Sequence, residues 1–458
     1  MKTVAFHNLG CKVNSYEMEV MQQKFENNGY KIVPFDTLAD IYVINTCTVT
    51  NIADRKSRQM LHRAKKSNPN AVVVATGCYA QTDTEGAQSD EAIDVIVGNN
   101  NKAKIVEIVE EHILSHGETK KTTVVSDLSI APQYEECSLD GSKQRTRVDV
   151  KIQDGCNQFC SYCAIPIARG RIRSRKRDDI IKEITKLAYA GYKEIVLTGI
   201  HLSSYGLENH VKESGKVPSY NAMADKGEYT NVDLLDVIDE VSKISGIERI
   251  RLGSLEPRVI TRDFLSRISK NTKVCPHFHI SMQSGCDDTL KRMNRHYTTA
   301  EFYEKVELIR EYYEHPAITT DIITGFPGES KEEFAQTYEF VKKVNFYETH
   351  VFRYSVRKGT VAASLPKQNT EKVKAARSEA LIEINKEQSR KYREYYLGKT
   401  LEMLVEEEIE LNGEKYMCGY TQNYVRVAIK AKPDYVNQIV KGVAVKMLND
   451  EVLLLEIS

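Results

Sequence analysis

The sequence predicts an α/β chain in three units: an N-terminal parallel α/β domain, a central partial (βα)6 barrel and a small antiparallel β-barrel at the C-terminus. Three observations carry that reading. Short apolar runs alternate with helical periods over residues 1–130, and again from Val148 to about Asn369; this is the pattern of a parallel sheet covered by helices. Lys399 to Ser458 instead holds short strands with turn signals, which suit a closed antiparallel barrel. The length, 458 residues, is enough for roughly three domains, and 41% hydrophobic with 28% charged residues is an ordinary globular mix.

In the first unit the strands are Thr3-Val-Ala-Phe, Ile41-Tyr-Val-Ile-Asn, Ala71-Val-Val-Val-Ala-Thr-Gly and Ala92-Ile-Asp-Val-Ile-Val-Gly. Helical periods run between them, as from Tyr16 to Asn27 and from Asp54 to Ser67. Ser115 to Lys143 is polar and aperiodic, and reads as a linker. The barrel, placed at 142–370, takes its six strands from Val148-Asp-Val-Lys-Ile, Glu194-Ile-Val-Leu-Thr-Gly, Arg249-Ile-Arg-Leu-Gly, His277-Phe-His-Ile-Ser, Ile318-Thr-Thr-Asp-Ile-Ile and His350-Val-Phe-Arg-Tyr. Leu207 to Thr230 reads as an inserted loop. A charged helix at 371–396 has the composition of a solvated connector, and 397–458 forms the terminal barrel.

Composition excludes a disordered, collagen-like or disulfide-stapled chain. No apolar run approaches the ~18 residues of a membrane span, and Met1-Lys-Thr-Val-Ala-Phe-His reads as a strand rather than a signal peptide. The expected location is cytoplasmic. Lys plus Arg and Asp plus Glu both total 64, giving a net charge of zero. Locally the balance is −5 over 1–140, +8 over 141–395 and −3 over 396–458.

Ten cysteines in a reducing compartment favour metal binding or reactivity over disulfides. Three form a tight set in Asp154-Gly-Cys156-Asn-Gln-Phe-Cys160-Ser-Tyr-Cys163, directly after a strand, where βα loops carry active sites. Zinc structural sites take four ligands, so a zinc knuckle would need a ligand from elsewhere. An iron–sulfur cube held by three thiolates keeps one iron open for a small molecule. Three unrelated buried thiols are the bland alternative. Cys11, Cys47 and Cys78 each follow a predicted strand of the first unit, and strand ends of a parallel sheet share one edge. They could hold a second cluster. Cys137, Cys275, Cys286 and Cys418 lack such spacing.

The CxxxCxxC spacing, with aromatic Tyr162 before its last cysteine, resembles the radical S-adenosylmethionine (SAM) enzymes. Two thiol trios plus a terminal barrel resemble one family among them, the methylthiotransferases, over nearly the whole chain. The motifs that carry this are Leu9-Gly-Cys-Lys-Val-Asn14, Asn45-Thr-Cys-Thr-Val-Thr50, Thr76-Gly-Cys-Tyr-Ala-Gln81, Gly155-Cys-Asn-Gln-Phe-Cys-Ser-Tyr-Cys163 and Gly325-Phe-Pro-Gly-Glu329. The first, with Leu197-Thr-Gly-Ile-His201, looks most like the MtaB branch, which methylthiolates N6-threonylcarbamoyladenosine in tRNA beside the anticodon.

The resemblance implies two [4Fe-4S] clusters, on Cys11/Cys47/Cys78 and Cys156/Cys160/Cys163. It also implies two uses of SAM, as methyl donor and as source of the radical that removes the adenine C2 hydrogen, with a terminal barrel of the TRAM type. Expected partners are the tRNA anticodon arm, an electron donor such as a flavodoxin or ferredoxin, and a sulfur source. Expected SAM contacts are Tyr162, Gly199 (close backbone approach), Ser254, Glu256, Gln283 and Ser284, all but the first at the ends of barrel strands.

The run Arg169-Gly-Arg-Ile-Arg-Ser-Arg-Lys-Arg177 opens a helix in this reading. Arg169, Arg171, Arg173 and Arg175 could grip phosphates of the anticodon arm or the substrate carboxylate. Lys291-Arg-Met-Asn-Arg-His296 is a second basic stretch. The terminal barrel is acidic, with Glu406-Glu-Glu-Ile-Glu410, although Tyr416, Tyr420 and Tyr424 could stack on bases. Two other readings stay open: methylthiolation of a ribosomal-protein aspartate, and a non-catalytic iron–sulfur RNA-binding protein.

Overall fold

The computed structural model describes residues 1–115, 121–129, 133–141, 146–210, 217, 220–225, 229–430 and 435–457. The first sheet holds β1 (Thr3–Asn8), β2 (Lys31–Val33), β3 (Ile41–Thr46), β4 (Val72–Gly77), β5 (Val95–Val97) and β6 (Thr122–Val124), all parallel in the order β2-β1-β3-β4-β5-β6. Every residue of β3 is buried, which is why it reads as a continuous apolar run. Helix Lys12–Asn27 covers one face through Met18, Met21 and Phe25, and helix Asn51–Ser67 covers the other through Leu61 and Ala64. The edge strands β2 and β6 span three residues each, too short to show a period. β6 lies inside the stretch read as linker.

The barrel strands are β7 (Arg147–Asp154), β8 (Arg173–Ser174), β9 (Glu194–Gly199), β10 (Arg249–Leu252), β11 (His277–His279), β12 (Ala317–Thr324) and β13 (Glu348–Arg353). β7, β9 and β10 pair in parallel, as do β11, β12 and β13, and single parallel bridges such as Leu255 to Ile280 join the two sets. Val148, Val150 and Ile152 of β7 pack with Ile180, Ile184 and Leu187 of the covering helix. That helix spans Arg177–Tyr189, so the arginine run precedes it and includes the short antiparallel β8. The inserted segment carries helix Tyr220–Ala224, whose Tyr220 is buried with Ile172 and Leu207, and Asn221 donates to Gln158 at 2.7 Å.

Helix Glu371–Glu394 corrects the solvated-connector reading, because Leu381, Ile384 and Tyr392 are buried. Its Ser389 hydroxyl donates to the Tyr347 carbonyl at 2.6 Å, and Asn385 accepts the Thr349 amide at 2.7 Å. The apolar stripe is narrow within many charges. Beyond it β14 (Thr400–Leu411), β15 (Glu414–Thr421), β16 (Arg426–Lys430), β17 (Ile439–Met447) and β18 (Leu453–Ile457) close into a barrel in the order β14-β15-β16-β18-β17. Arg249 donates to the Tyr420 carbonyl at 2.8 Å and Arg251 to the Gln422 carbonyl at 2.9 Å, fastening this barrel to β10.

Candidate functional site: two thiol trios and a cavity at the domain junction

Cys11, Cys47 and Cys78 follow β1, β3 and β4, which are neighbours in the sheet. Gly10, at φ +118°, lets the first loop press against the second: a Cβ there would sit 3.3 Å from the Cys47 sulfur. The Cys47 amide donates to Ser57 Oγ at 3.2 Å, and Asn99 Nδ2 donates to Cys78 Sγ at 3.6 Å. Burial pushes the Cys11 thiol up and the Cys47 thiol up to about 11, with each feeling Cys78. Of this trio, Cys78 comes near enough to the second for its charge to be felt at Cys163.

The second trio lies on the loop after β7. Gln158 donates its amide to Cys156 Sγ at 3.4 Å, and Arg295 donates to Cys160 Sγ at 3.3 Å. Burial raises the Cys156 thiol and takes Cys163 up to about 12. Such buried sulfurs become thiolates only with a positive charge beside them, which a metal cluster provides. Among the described residues the one trio of candidate ligand atoms lying within 4.8 Å of one another is His279/Asp321/His350. Neither cysteine trio is therefore drawn tightly round a single ion, as the ~2.3 Å Zn–S bond would require. The donor set fits a multi-iron cluster with each cysteine on its own iron.

Against the second trio lies a cavity of about 280 Å³. The first domain contributes Thr48, Val49 and Thr50 to its wall, and the barrel contributes all three cysteines of the second trio, with Gln158, Tyr162, His201, Glu256, Gln283, Arg295, Asp321 and Arg353 among others. Of the expected SAM contacts, Tyr162, Glu256 and Gln283 line it, and Gln283 holds φ +64° to do so. The other three depart from expectation. Gly199 packs against Gln153, Ser254 is exposed outside the lining, and Ser284 is buried with Thr337 and accepts the Cys286 amide at 3.3 Å. Each sits one or two residues from the lining Ile200, Glu256 and Gln283, a displacement that strand-end position alone does not resolve.

Glu256 and Arg295 make the cavity's central ion pair at 2.7 Å. Burial alone would raise the Glu256 carboxyl, yet Arg295 and His201 hold it down at about 2. His201 is fixed from behind by Ser204 at 2.6 Å. Sequence reasoning left His201 unassigned although it quoted the motif that ends there, and it counted Arg295 only as part of a basic stretch. Spacing gave no sign that the two meet on one carboxylate.

The arginine run is corrected most. Arg169, Arg173 and Arg175 are buried and ion-paired, so they are not available to phosphate or substrate. Arg169 donates to Glu17 at 2.8 and 3.0 Å and to Asn14 at 2.6 Å, Arg173 to Asp154 at 3.1 Å, and Arg175 to Glu136 and Glu183. Lys151 bridges Glu17 and Asp154 at 2.8 and 3.1 Å, and Lys102 pairs with Glu17. Two carboxylates thus meet four cations in a buried seam between the first domain and the barrel. The excess positive charge stands behind the first trio, where Arg169 feels Cys78, and it offsets thiolate charge there. Only Arg171 of the four is exposed, over the ring of Phe159 at 4.5 Å.

A second contact joins the first domain to the barrel beside the cavity. Arg357 pairs with Asp54 and donates to Asn51 at 2.7 Å, and the Asn51 amide donates to Ser355 at 2.9 Å. In the terminal barrel Tyr420 stacks on Tyr424 at 4.7 Å, Tyr424 on His277 at 4.8 Å, and Tyr416 is buried. These tyrosines pack against protein rather than offering free faces to bases. No helix among the described residues is long and apolar enough to cross a membrane.

Comparison with known proteins agrees with this fold. Residues 3–98 match the model described as "Uncharacterized protein family UPF0004", and residues 150–341 match the Radical SAM superfamily. The Threonylcarbamoyladenosine tRNA methylthiotransferase MtaB of Bacillus subtilis is 40% identical, covering 96% of this chain and 93% of its own. The MtaB of Aquifex aeolicus is 38% identical, covering 93% and 98%. The tRNA-2-methylthio-N(6)-dimethylallyladenosine synthase of Pelotomaculum thermopropionicum is 32% identical, covering 94% and 92%. Among solved structures, the radical SAM methyltransferase TsrM from Kitasatospora setae superposes with a TM-score of 0.53 at 14% identity, covering 79% of this chain and 74% of that one, a likeness of fold.

Proposed function

The chain belongs to the MtaB-type radical SAM methylthiotransferases, and from that premise we propose that it inserts a methylthio group at C2 of N6-threonylcarbamoyladenosine at tRNA position 37. The observation that carries this reading is the cavity lined by Cys156, Cys160 and Cys163 on the barrel side and, on the first-domain side, by Thr48, Val49 and Thr50, which follow Cys47 directly in the chain. Bound there, the clusters and SAM would supply methyl transfer, one-electron cleavage and radical hydrogen removal, chemistry that an unactivated C–H bond demands of a cofactor.

The protein's own residues do the rest. Cys156, Cys160 and Cys163 would anchor one [4Fe-4S] cluster, and Cys11, Cys47 and Cys78 the other. Arg295 steadies charge on the Cys160 sulfur while its second nitrogen holds Glu256. Tyr162, Glu256 and Gln283, which line the cavity, would make polar and edge contacts with SAM. The Arg357–Asp54 contact ties the first domain to the barrel beside the cavity, where it would help to limit water around the reacting base. Arg171, beside the exposed Phe159, is the arginine of the basic run left for RNA phosphate. Reduction would come from a flavodoxin or ferredoxin, sulfur from a separate donor, and the setting would be the cytoplasm. The relatives described above are named for tRNA nucleosides, which favours this reading over a ribosomal-protein aspartate.

The test is anaerobic incubation of the reduced, reconstituted chain with SAM and tRNA bearing threonylcarbamoyladenosine, followed by nucleoside analysis. Methylthiolated product with 5′-deoxyadenosine supports the reading. In addition, Cys47→Ala and Cys160→Ala should each lose about half the iron, and only Cys160→Ala should abolish 5′-deoxyadenosine formation. Absence of the modified nucleoside under conditions that cleave SAM would refute it.

A further inference from the structure

Resting on that reading, we propose that His350 and Arg353 of β13, with His279 and Asp321 beside them, form the subsite that receives the carboxylate-bearing arm of the substrate's N6 substituent. The relatives divide between a threonylcarbamoyl and a dimethylallyl nucleoside. The first arm carries a carboxylate, a hydroxyl and urea N–H groups, and the second is hydrocarbon. A site that tells them apart must present unpaired donors and a cation within reach of the base.

The charges of the cavity sort themselves accordingly. Arg295 is committed to Glu256 and to the Cys160 sulfur. Arg353 lines the same cavity, is exposed, and has no carboxylate partner among the described residues. His350 is exposed as well, and its register on β13 places it opposite Asp321 of β12, another lining residue. His279 completes the group from β11: its Nε2 lies 3.4 Å from Asp321 Oδ2 and its Nδ1 is held 3.0 Å from Thr319 Oγ1. One ligand atom from each of His279, Asp321 and His350 lies within 4.8 Å of the others.

Three adjacent strands thus set two imidazoles and a carboxylate on a rigid ladder, with a free guanidinium at its end. A guanidinium fork and an imidazole N–H suit a carboxylate, and Asp321 suits a hydroxyl or urea N–H. Ile323 and Phe352 on the same wall supply apolar surface for the base.

The experiment uses the cluster-loaded chain and two tRNAs that differ only in carrying threonylcarbamoyladenosine or plain adenosine at the target position. The quantity read is each enzyme's own ratio of kcat/KM between the two, so that a general loss of folded enzyme cancels. His350→Gln with Arg353→Gln should lower that ratio about tenfold to a hundredfold, mostly through KM for the threonylcarbamoyl tRNA. A ratio unchanged in the double variant, or equal losses on both tRNAs, would overturn the subsite while leaving the proposed activity standing. A wild-type enzyme that methylthiolates neither tRNA would overturn both.

Discussion

Glu17 is the residue on which docking of the first domain to the barrel most depends. Its carboxylate takes Lys102 from its own domain and Lys151 and Arg169 from the barrel, all buried. Burial alone would raise this carboxyl, but Arg169, then Lys102 and Lys151, hold it well below the usual range, so it stays ionised. Glu17→Gln keeps the shape and removes the charge, leaving Lys151, Arg169 and Arg173 to Asp154 alone and Lys102 with no carboxylate partner among the described residues. Breaking a buried pair in this way costs about 3–5 kcal/mol. At roughly 2–4 °C per kcal/mol, the unfolding midpoint should fall by about 6–20 °C. Anaerobic thermal melts of cluster-loaded samples measure it. Adding Lys102→Met removes one of the stranded cations and should return at least ~1 kcal/mol, a non-additivity expected of contacting residues. A single variant that loses less than about 1 kcal/mol, or a double variant that is strictly additive, would refute the view of the seam as a charge-compensated joint.

Two further outcomes follow from local geometry. Gly155 holds φ +68°, and a Cβ there would lie 1.9 Å from the Arg171 carbonyl. Gly155→Ala should therefore strain the barrel cluster loop by more than ~1 kcal/mol and lower the iron content by about half, with the first-domain cluster intact; full iron content by chemical assay would contradict this. His277 is buried, and burial first, then Arg251 and Lys12, hold its pKa well below 6.5. Its folded pKa is depressed, so its contribution is complete above the unfolded value and lost as pH falls below it. Under pH 6.5 the wild type should lose up to about 1.4 kcal/mol per unit relative to His277→Gln, until the folded pKa is reached; parallel stability–pH curves for the two would show that His277 titrates normally.

The fold was largely legible because its long elements repeat strongly. β3 and β4 are apolar runs, and six barrel strands recur between amphipathic helices. Edge strands of three residues, and a connector helix whose apolar stripe is thin, leave too little pattern to read. In the site, the cysteines stood out through chemistry and strand-end position; the second trio lines the cavity, and the first sits at the neighbouring strand ends, with Thr48 to Thr50 beside Cys47 reaching the wall. The basic run misled because charge in sequence does not reveal its partner: Glu17, 152 residues before Arg169, makes a buried clamp of what looked like a phosphate grip. Arg295 and His201 were obscured for the same reason, since Glu256 gathers them from distant loops.

The chamber wall is shared, with Thr48 to Thr50 supplied by one half and the strand ends by the other, latched by Arg357 on Asp54. Neither half alone lines the space, so the cavity takes its shape only once the first domain and the barrel have docked. The shape of the space is thereby conditional on complete assembly, and a loosened joint would alter its wall without touching the barrel's own thiols.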